Sequence, residues 1–395
     1  MSRFEIAIIC LSFMIFSSCS ESEDIIQKEL TEIITGEFVL KKDDEISQFS
    51  NLRVIDNEDY ALIYFSIQDQ KKNQLRLLFF NILQGRKEFE VSIPLEGPDS
   101  IKGSLGAYSY VKGEDEIFLL GRTGILGKYD FSGNKLMELD LNKLVPQEVE
   151  FDFQRVNHIN GGITMIDGVL QVLFNPSYSD FDSQIGKYVM KFPIDHSNWM
   201  FQIDIENKEL RMPKFRIPAD YQKFEFDPFA SQLSGVWNKD EGFYYLIWPY
   251  SNVVYQISED GEFSKEFSLP SGVSLNFIPG EIKDAGQGFQ AFITPKEASS
   301  HLFLAYDANN ELYIRLSKMD ESGDGFSSFY RKKNYVLTFY NTKWDILGEY
   351  FFIFEEEAEL ENWFLYGNEL FINQPNQSNE DEYKFYRIDL SKVKK

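Results

Sequence analysis

Apolar and polar side chains alternate along most of this chain in short runs broken by polar turns. Residues 252–270, NVVYQISEDGEFSKEFSLP, show the pattern most cleanly. One run carries Val253 and Tyr255, a second carries Phe263, Phe267 and Leu269, and Glu259-Asp260-Gly261 separates them. A period of two puts successive side chains on opposite faces of a strand, and an Asp-Gly step between two such runs predicts a tight hairpin. The design returns at residues 124–141, turning at Ser132-Gly133-Asn134, and less cleanly at residues 335–352. A two-stranded ribbon cannot bury its apolar face alone, so a recurring ribbon has to pack against its own copies.

Taken in order, the runs fall into groups, mostly of four, the third being larger. The first group is 51–55, 60–67, 75–81 and 89–94; the second is 107–111, 116–120, 126–131 and 135–141. The third opens with a hairpin about Asp167-Gly168 (162–166 and 169–175) and continues through 188–193 and 199–205 to an outer strand at 210–217. Within it, residues 175–186 read as an inserted polar loop. The fourth group is 233–237, 242–248, 253–258 and 263–269, and the fifth is 301–306, 311–316, 335–340 and 346–354. The sixth, 361–366, 369–374 and 383–390, is one strand short, and the lone N-terminal run 36–40 is its obvious partner. Supplying an outer strand from the other end of the chain closes a ring and removes its edges. The prediction is an all-β fold: a six-bladed β-propeller of four-stranded antiparallel blades, closed by the N-terminal strand. Seven blades would require the irregular stretch 273–295 to hold a decayed one. A single β-sandwich has no place for so many strands grouped in fours.

Composition agrees with a large β core. Of 395 residues, 43% are hydrophobic and 16% aromatic, with 37 Phe and 21 Tyr, types that favour strands. The formal charge of −24, from 63 acidic and 39 basic side chains, opposes binding to nucleic acid or to an anionic membrane surface.

The N-terminus reads as an export signal. Arg3 precedes a short apolar core at residues 6–16, followed by Ser17-Ser18-Cys19; so short a run is a signal peptide before it is a membrane span. The small residues before Cys19 resemble a bacterial lipobox, in which that cysteine is lipidated, although Phe16 stands where an aliphatic residue is usual. Cys10 would be discarded with the signal, leaving no disulfide. The expected organisation is a signal peptide over 1–18, an acidic tether over 19–35 and one propeller domain over 36–395. The acidic stretch SESED behind Cys19 resembles the surface-export signal of lipoproteins from Bacteroides-like bacteria.

These residues carry a wider resemblance. With SSCSESED at its front and the repeated pieces YDFSGNKLMELDL, YQISEDGEFSKEFSLP and FYNTKWDILGEYFF, the chain resembles Bacteroidetes lipoproteins with a six-bladed TolB-like or NHL-like propeller, of the DUF4221 type. The resemblance spans residues 36–390. It implies architecture and an outer-membrane, surface-exposed location, and brings no catalytic residues with it.

Local chemistry is sparse. His158, His196 and His301 are far apart, each expected at the surface or hydrogen-bonded in a loop, and neither a GxSxG elbow nor a GxxxxGK cradle occurs. Asp320, Ser322 and Asp324, in DESGDG, place three oxygens at alternate positions. Calcium wants six to eight ligands, so this is a weak calcium candidate beside the plainer reading of a solvated acidic turn. The run Glu355-Glu356-Glu357 with Glu359 and Glu361 reads as a solvated connection. Trp237, Tyr244, Trp248 and Tyr250 are candidates for a rim that binds a glycan or peptide, while Trp199, Trp344 and Trp363 are expected to fill interblade spaces. The leading expectation is a noncatalytic module binding an unidentified protein, peptide or glycan, attached to the membrane through lipid on Cys19. The alternatives are a hydrolase or lyase acting on glycan or peptide at the central channel, and a structural envelope component.

Overall fold

The computed structural model describes residues 27–393 except 43–45, 47–48, 50–51, 56–59, 101–106, 115, 147–161, 175–177, 183–186, 192–194, 197–198, 219, 228, 287–288, 326–327 and 378; side chains are described outside 27, 175–198 and 284–291. Among the described residues, six blades follow one another along the chain, each built on four antiparallel strands. Blade 1 comprises Arg53–Val54, Leu62–Asp69, Gln74–Asn81 and Arg86–Pro94; blade 2 comprises Tyr108–Gly113, Glu116–Leu120, Ile125–Tyr129 and Lys135–Asp140. Blade 3 is Ile163–Ile166, Val169–Leu173, Met200–Asp204 and Glu209–Arg211, and blade 4 is Ser234–Asn238, Phe243–Ile247, Val253–Ser258 and Phe263–Ser268. Blade 5 is Ser300–Asp307, Leu312–Ser322, Lys332–Tyr340 and Ile346–Phe354. Blade 6 takes Trp363–Tyr366, Glu369–Asn373 and Glu382–Asp389, and its outer strand is Ile34–Lys41, antiparallel to Glu382–Asp389. The expected ring closure is present.

The period of two explains the packing. In Gln74–Asn81, Leu75, Leu77 and Phe79 face blade 2, while Leu78 and Phe80 face blade 6. The same division in each blade gives a cluster of buried side chains at every one of the six seams. Turns between third and fourth strands lean on the preceding blade. A Cβ at Gly133 of blade 2 would lie 2.4 Å from the Ser92 carbonyl oxygen of blade 1, and one at Gly85 of blade 1 would lie 2.1 Å from that of Val39 in the closing strand. Both glycines have positive φ, 80° and 64°, so each combines a left-handed turn with an approach too close for any side chain.

Departures from the expected layout are local. Residues 188–193 were expected in blade 3, but Lys187–Lys191 pairs with Tyr178–Asp182 as a separate hairpin inside the insertion. Blade 3 instead ends at Glu209–Arg211, short of the expected 217, because Pro213 follows and offers no N–H to a ladder. The stretch 273–295 contains a two-stranded hairpin, Glu281–Gly286 with Phe289–Ile293, and adds no blade. Gln27–Glu29, assigned to the tether, instead runs parallel to Ile346–Phe354 as a fifth strand of blade 5. Leu30 and Ile33, 2% and 3% exposed, fill the seam between blades 5 and 6. Residues 1–26, including Cys19, lie outside the described residues.

Candidate functional site

The seam between blades 3 and 4 is apolar over most of its depth. It changes character where the first-to-second and third-to-fourth strand turns meet. Gln171 and Gln202 are cross-strand partners, so both point from the same face of blade 3 toward blade 4, where their neighbours along the strands, Leu173 and Met200, belong to the apolar seam. The two amides are 2% and 3% exposed. They line a cleft of about 410 Å³ completed by Asp204, Glu209 and Arg211 of blade 3 and by the Glu241–Phe243 and Ser258–Asp260 turns of blade 4.

The polar groups of this cleft are mostly fixed. Gln202 Nε2 donates to the Glu259 carbonyl oxygen. Asp204 accepts from the Asn207 backbone and side chain, both at 2.9 Å, and these bonds hold its carboxyl below the usual range. The Ser258 hydroxyl donates to Asp260 and, with the Glu262 N–H, has the same effect there. Glu241 accepts from the Tyr245 hydroxyl. At the mouth, Arg211 lies 4.0 Å from Glu209, and the two side chains are 68% and 61% exposed. Gln171 Oε1 differs: it is buried and has no hydrogen-bond partner among the described residues. Buried amide oxygens are ordinarily satisfied, by protein, water or ligand.

A second cleft, of about 680 Å³, opens on the opposite face of the ring, where second-to-third strand loops and interblade connections lie. Glu355, Glu356, Glu357, Glu359 and Glu361 line it with Phe49, Phe329, Tyr383 and the 373–377 segment. The acidic run is thus part of a concave wall, partly neutralised by Lys332 at 2.5 Å from Glu355 and Lys333 at 3.0 Å from Glu359. Nearby, buried Glu321 accepts from Lys318 at 2.7 Å, Arg331 at 3.0 Å and Ser328 at 2.5 Å. Burial pushes its carboxyl up, but these donors outweigh it and hold the group below its ordinary value.

The aromatic rim expected from sequence is not formed. Tyr244, Trp248 and Tyr250 are 1%, 0% and 5% exposed and belong to the seam between blades 3 and 4. Trp248 lies 4.9 Å from Tyr221 between ring centres, and the Tyr250 hydroxyl donates to buried Asp227 at 2.8 Å. Trp237 is half-buried beside Tyr244. Tyr244, Leu246 and Trp248 share the strand face toward blade 3, and Tyr245 and Ile247 on the other face fill the seam with blade 5, so an inner strand of this blade has no face left for a rim. Trp199 and Trp344 fill seams as expected, and Trp363 stacks on Phe303 at 4.0 Å between blades 5 and 6.

The weak calcium candidate does not assemble either. Asp320 and Ser322 lie in the ladder opposite Asn334 and Lys332, because the strand expected to end at 316 runs on to Ser322. Asp320 accepts from the Asn334 amide, and exposed Asp324 sits 3.9 Å from Lys296. Among the described residues no three acidic, histidine or cysteine side chains gather as metal ligands. His301 is in a strand rather than a loop, buried, with Nδ1 2.8 Å from the buried Ser317 hydroxyl. Burial, reinforced by Arg315, holds its imidazole well below the ordinary value and therefore neutral. The enclosed pair offers no approach to a substrate. His158 lies outside the described residues, as does the side chain of His196.

Comparison with known proteins places this geometry in a lineage. A solved DUF4221 member from Bacteroides vulgatus superposes with a TM-score of 0.67 at 12% identity, covering 90% of this chain and 97% of its own. A putative exported protein from Bacteroides fragilis gives 0.48 at 11% identity over 92% and 99% of the two chains. Virginiamycin B lyase from Staphylococcus aureus gives 0.38 at 12% identity over 89% and 99%. No curated protein matches. The profile of the domain of unknown function DUF4221 matches residues 39–350, which is most of the chain, and the protein therefore belongs to the DUF4221 family.

Proposed function

We propose that this protein is a noncatalytic ligand-binding propeller, held outside the cytoplasm by lipid on Cys19, with its ligand site in the cleft between blades 3 and 4. One observation carries the reading: two buried amides face that cleft, and the carbonyl oxygen of one, Gln171, has no partner among the described residues. A rigid closed scaffold that keeps a few convergent polar groups in a concave site of this size suits small-ligand recognition.

A ligand screen followed by mass spectrometry tests the binding half. Amines, neutral sugars, acidic sugars and short peptides are incubated with the full chain, and thermal stabilisation is read beside ligand mass. The expected result is stabilisation by one class, RT ln(1 + [L]/Kd) in magnitude, with that ligand recovered unchanged. Recovery of a cleaved product, or stabilisation by nothing in the panel, contradicts the reading. For the anchor, Cys19→Ser is expected to abolish incorporation of a labelled fatty acid and move the protein from the membrane fraction to the soluble one. Unchanged labelling and fractionation would place the attachment elsewhere.

A further inference from the structure

The cleft between blades 3 and 4 is built for one kind of partner. Its unpartnered group, Gln171 Oε1, is an acceptor and asks for an N–H or O–H donor. Gln202 Nε2 spends one hydrogen on the Glu259 carbonyl, and neither it nor any other donor of the described residues reaches Gln171 Oε1. Around that acceptor stand the carboxylates of Asp204, Glu209, Glu241, Glu259 and Asp260, against the single guanidinium of Arg211. Arg211 lies at the mouth beside Glu209, and the lining as a whole is net negative. The whole molecule, at −24, adds a field of the same sign.

An anionic ligand is repelled from such a lining. A neutral polyol would satisfy Gln171 and leave the carboxylates uncompensated. A protonated primary amine does both, with three donors on one positive centre. We propose, resting on the binding reading above, that the cleft takes a compact organic cation bearing a primary ammonium group, with Gln171 Oε1 accepting one of its N–H donors and the rim carboxylates supplying the field. The cavity, at about 410 Å³, falls within the range of small-molecule sites, roughly 300–1,000 Å³. An amino sugar and a diamine present this same chemistry.

Isothermal titration of the full chain with glucosamine, putrescine and glucose tests the proposal. At least one amine is expected to bind, glucose at least tenfold more weakly, and the two amines identify the source between them. Raising salt from low to high concentration should weaken amine binding several-fold. Gln171→Leu should lose tenfold or more. Should that buried substitution disturb folding, Glu209→Gln, at an exposed rim position, should still weaken binding several-fold without altering stability. Binding of neither amine overturns the proposal, as does amine binding unaffected by both variants. Glucose binding as tightly as the amines, and dependent on Gln171, overturns the amine class while leaving the ligand-binding reading intact.

Discussion

Glu321 shows what a buried charge demands of its neighbours. Its side chain is fully enclosed at the root of the loop that carries Phe329 into the acidic cleft, and Lys318 and Arg331 compensate it. Removing one member of a buried ion cluster leaves the others uncompensated, at about 3–5 kcal/mol. Glu321→Gln is therefore expected to lose about that much stability at pH 7, measured by urea unfolding. The folded-state value of this carboxyl lies below its ordinary 4.5. Its contribution is thus complete above pH 4.5 and is lost as pH falls through the folded value. The gap between wild type and variant should close as the pH is lowered; a gap that persists in acid contradicts the assignment. None of this was legible in DESGDG, where alternate oxygens suggest a turn and only the cross-strand register shows Glu321 opposite Lys333. Gln171 and Gln202 were equally silent. Glutamine in a strand reads as a solvent-facing position, and the insertion between them hides that they are paired.

Strands were far more legible, because alternation in the half-exposed strands and short apolar runs bounded by turn residues in the inner ones are both local signals. Every predicted blade was found, and the failures came where a run of alternating residues could pair in more than one way. Residues 187–191 carry an apolar run, Tyr188-Val189-Met190, that would suit a blade, and still fold back on Tyr178–Asp182. Gln27–Ile33 reads as part of an acidic tether, yet Leu30 and Ile33 are the residues that dock. Two anchoring positions suffice when a strand edge is waiting. Leu30→Ala should cost roughly 2–5 kcal/mol as a core truncation, whereas a true tether residue would cost nothing measurable by the same unfolding assay. At the other seam of blade 6, Gly85→Ala forces an L residue to φ +64° against the backbone of the closing strand. The left-handed conformation alone costs about 1–2 kcal/mol, and displacement of Val39 adds to it. A drop in melting temperature with no change in circular dichroism at low temperature is the expected result, and an unchanged melting temperature would contradict the close approach.

At the scale of the molecule, closing the ring with Ile34–Lys41 ties the N-terminal part of the chain to blade 6 and leaves each seam supported from both sides. Such a body presents rigid clefts on both ring faces, and the two described here differ in kind. The acidic cleft is walled by exposed connections and partly neutralised by lysines; the cleft between blades 3 and 4 is set into a packed seam and holds a buried acceptor that has no partner among the described residues. That contrast is the ground for placing the ligand in the seam rather than at the glutamate run. Crystals of the protein soaked in glucosamine or putrescine test the placement most directly. The account predicts ligand density between blades 3 and 4, with an amine nitrogen within hydrogen-bonding distance of Gln171 Oε1. Density on the ring axis or among Glu355–Glu361, with the seam cleft holding only water, would contradict it.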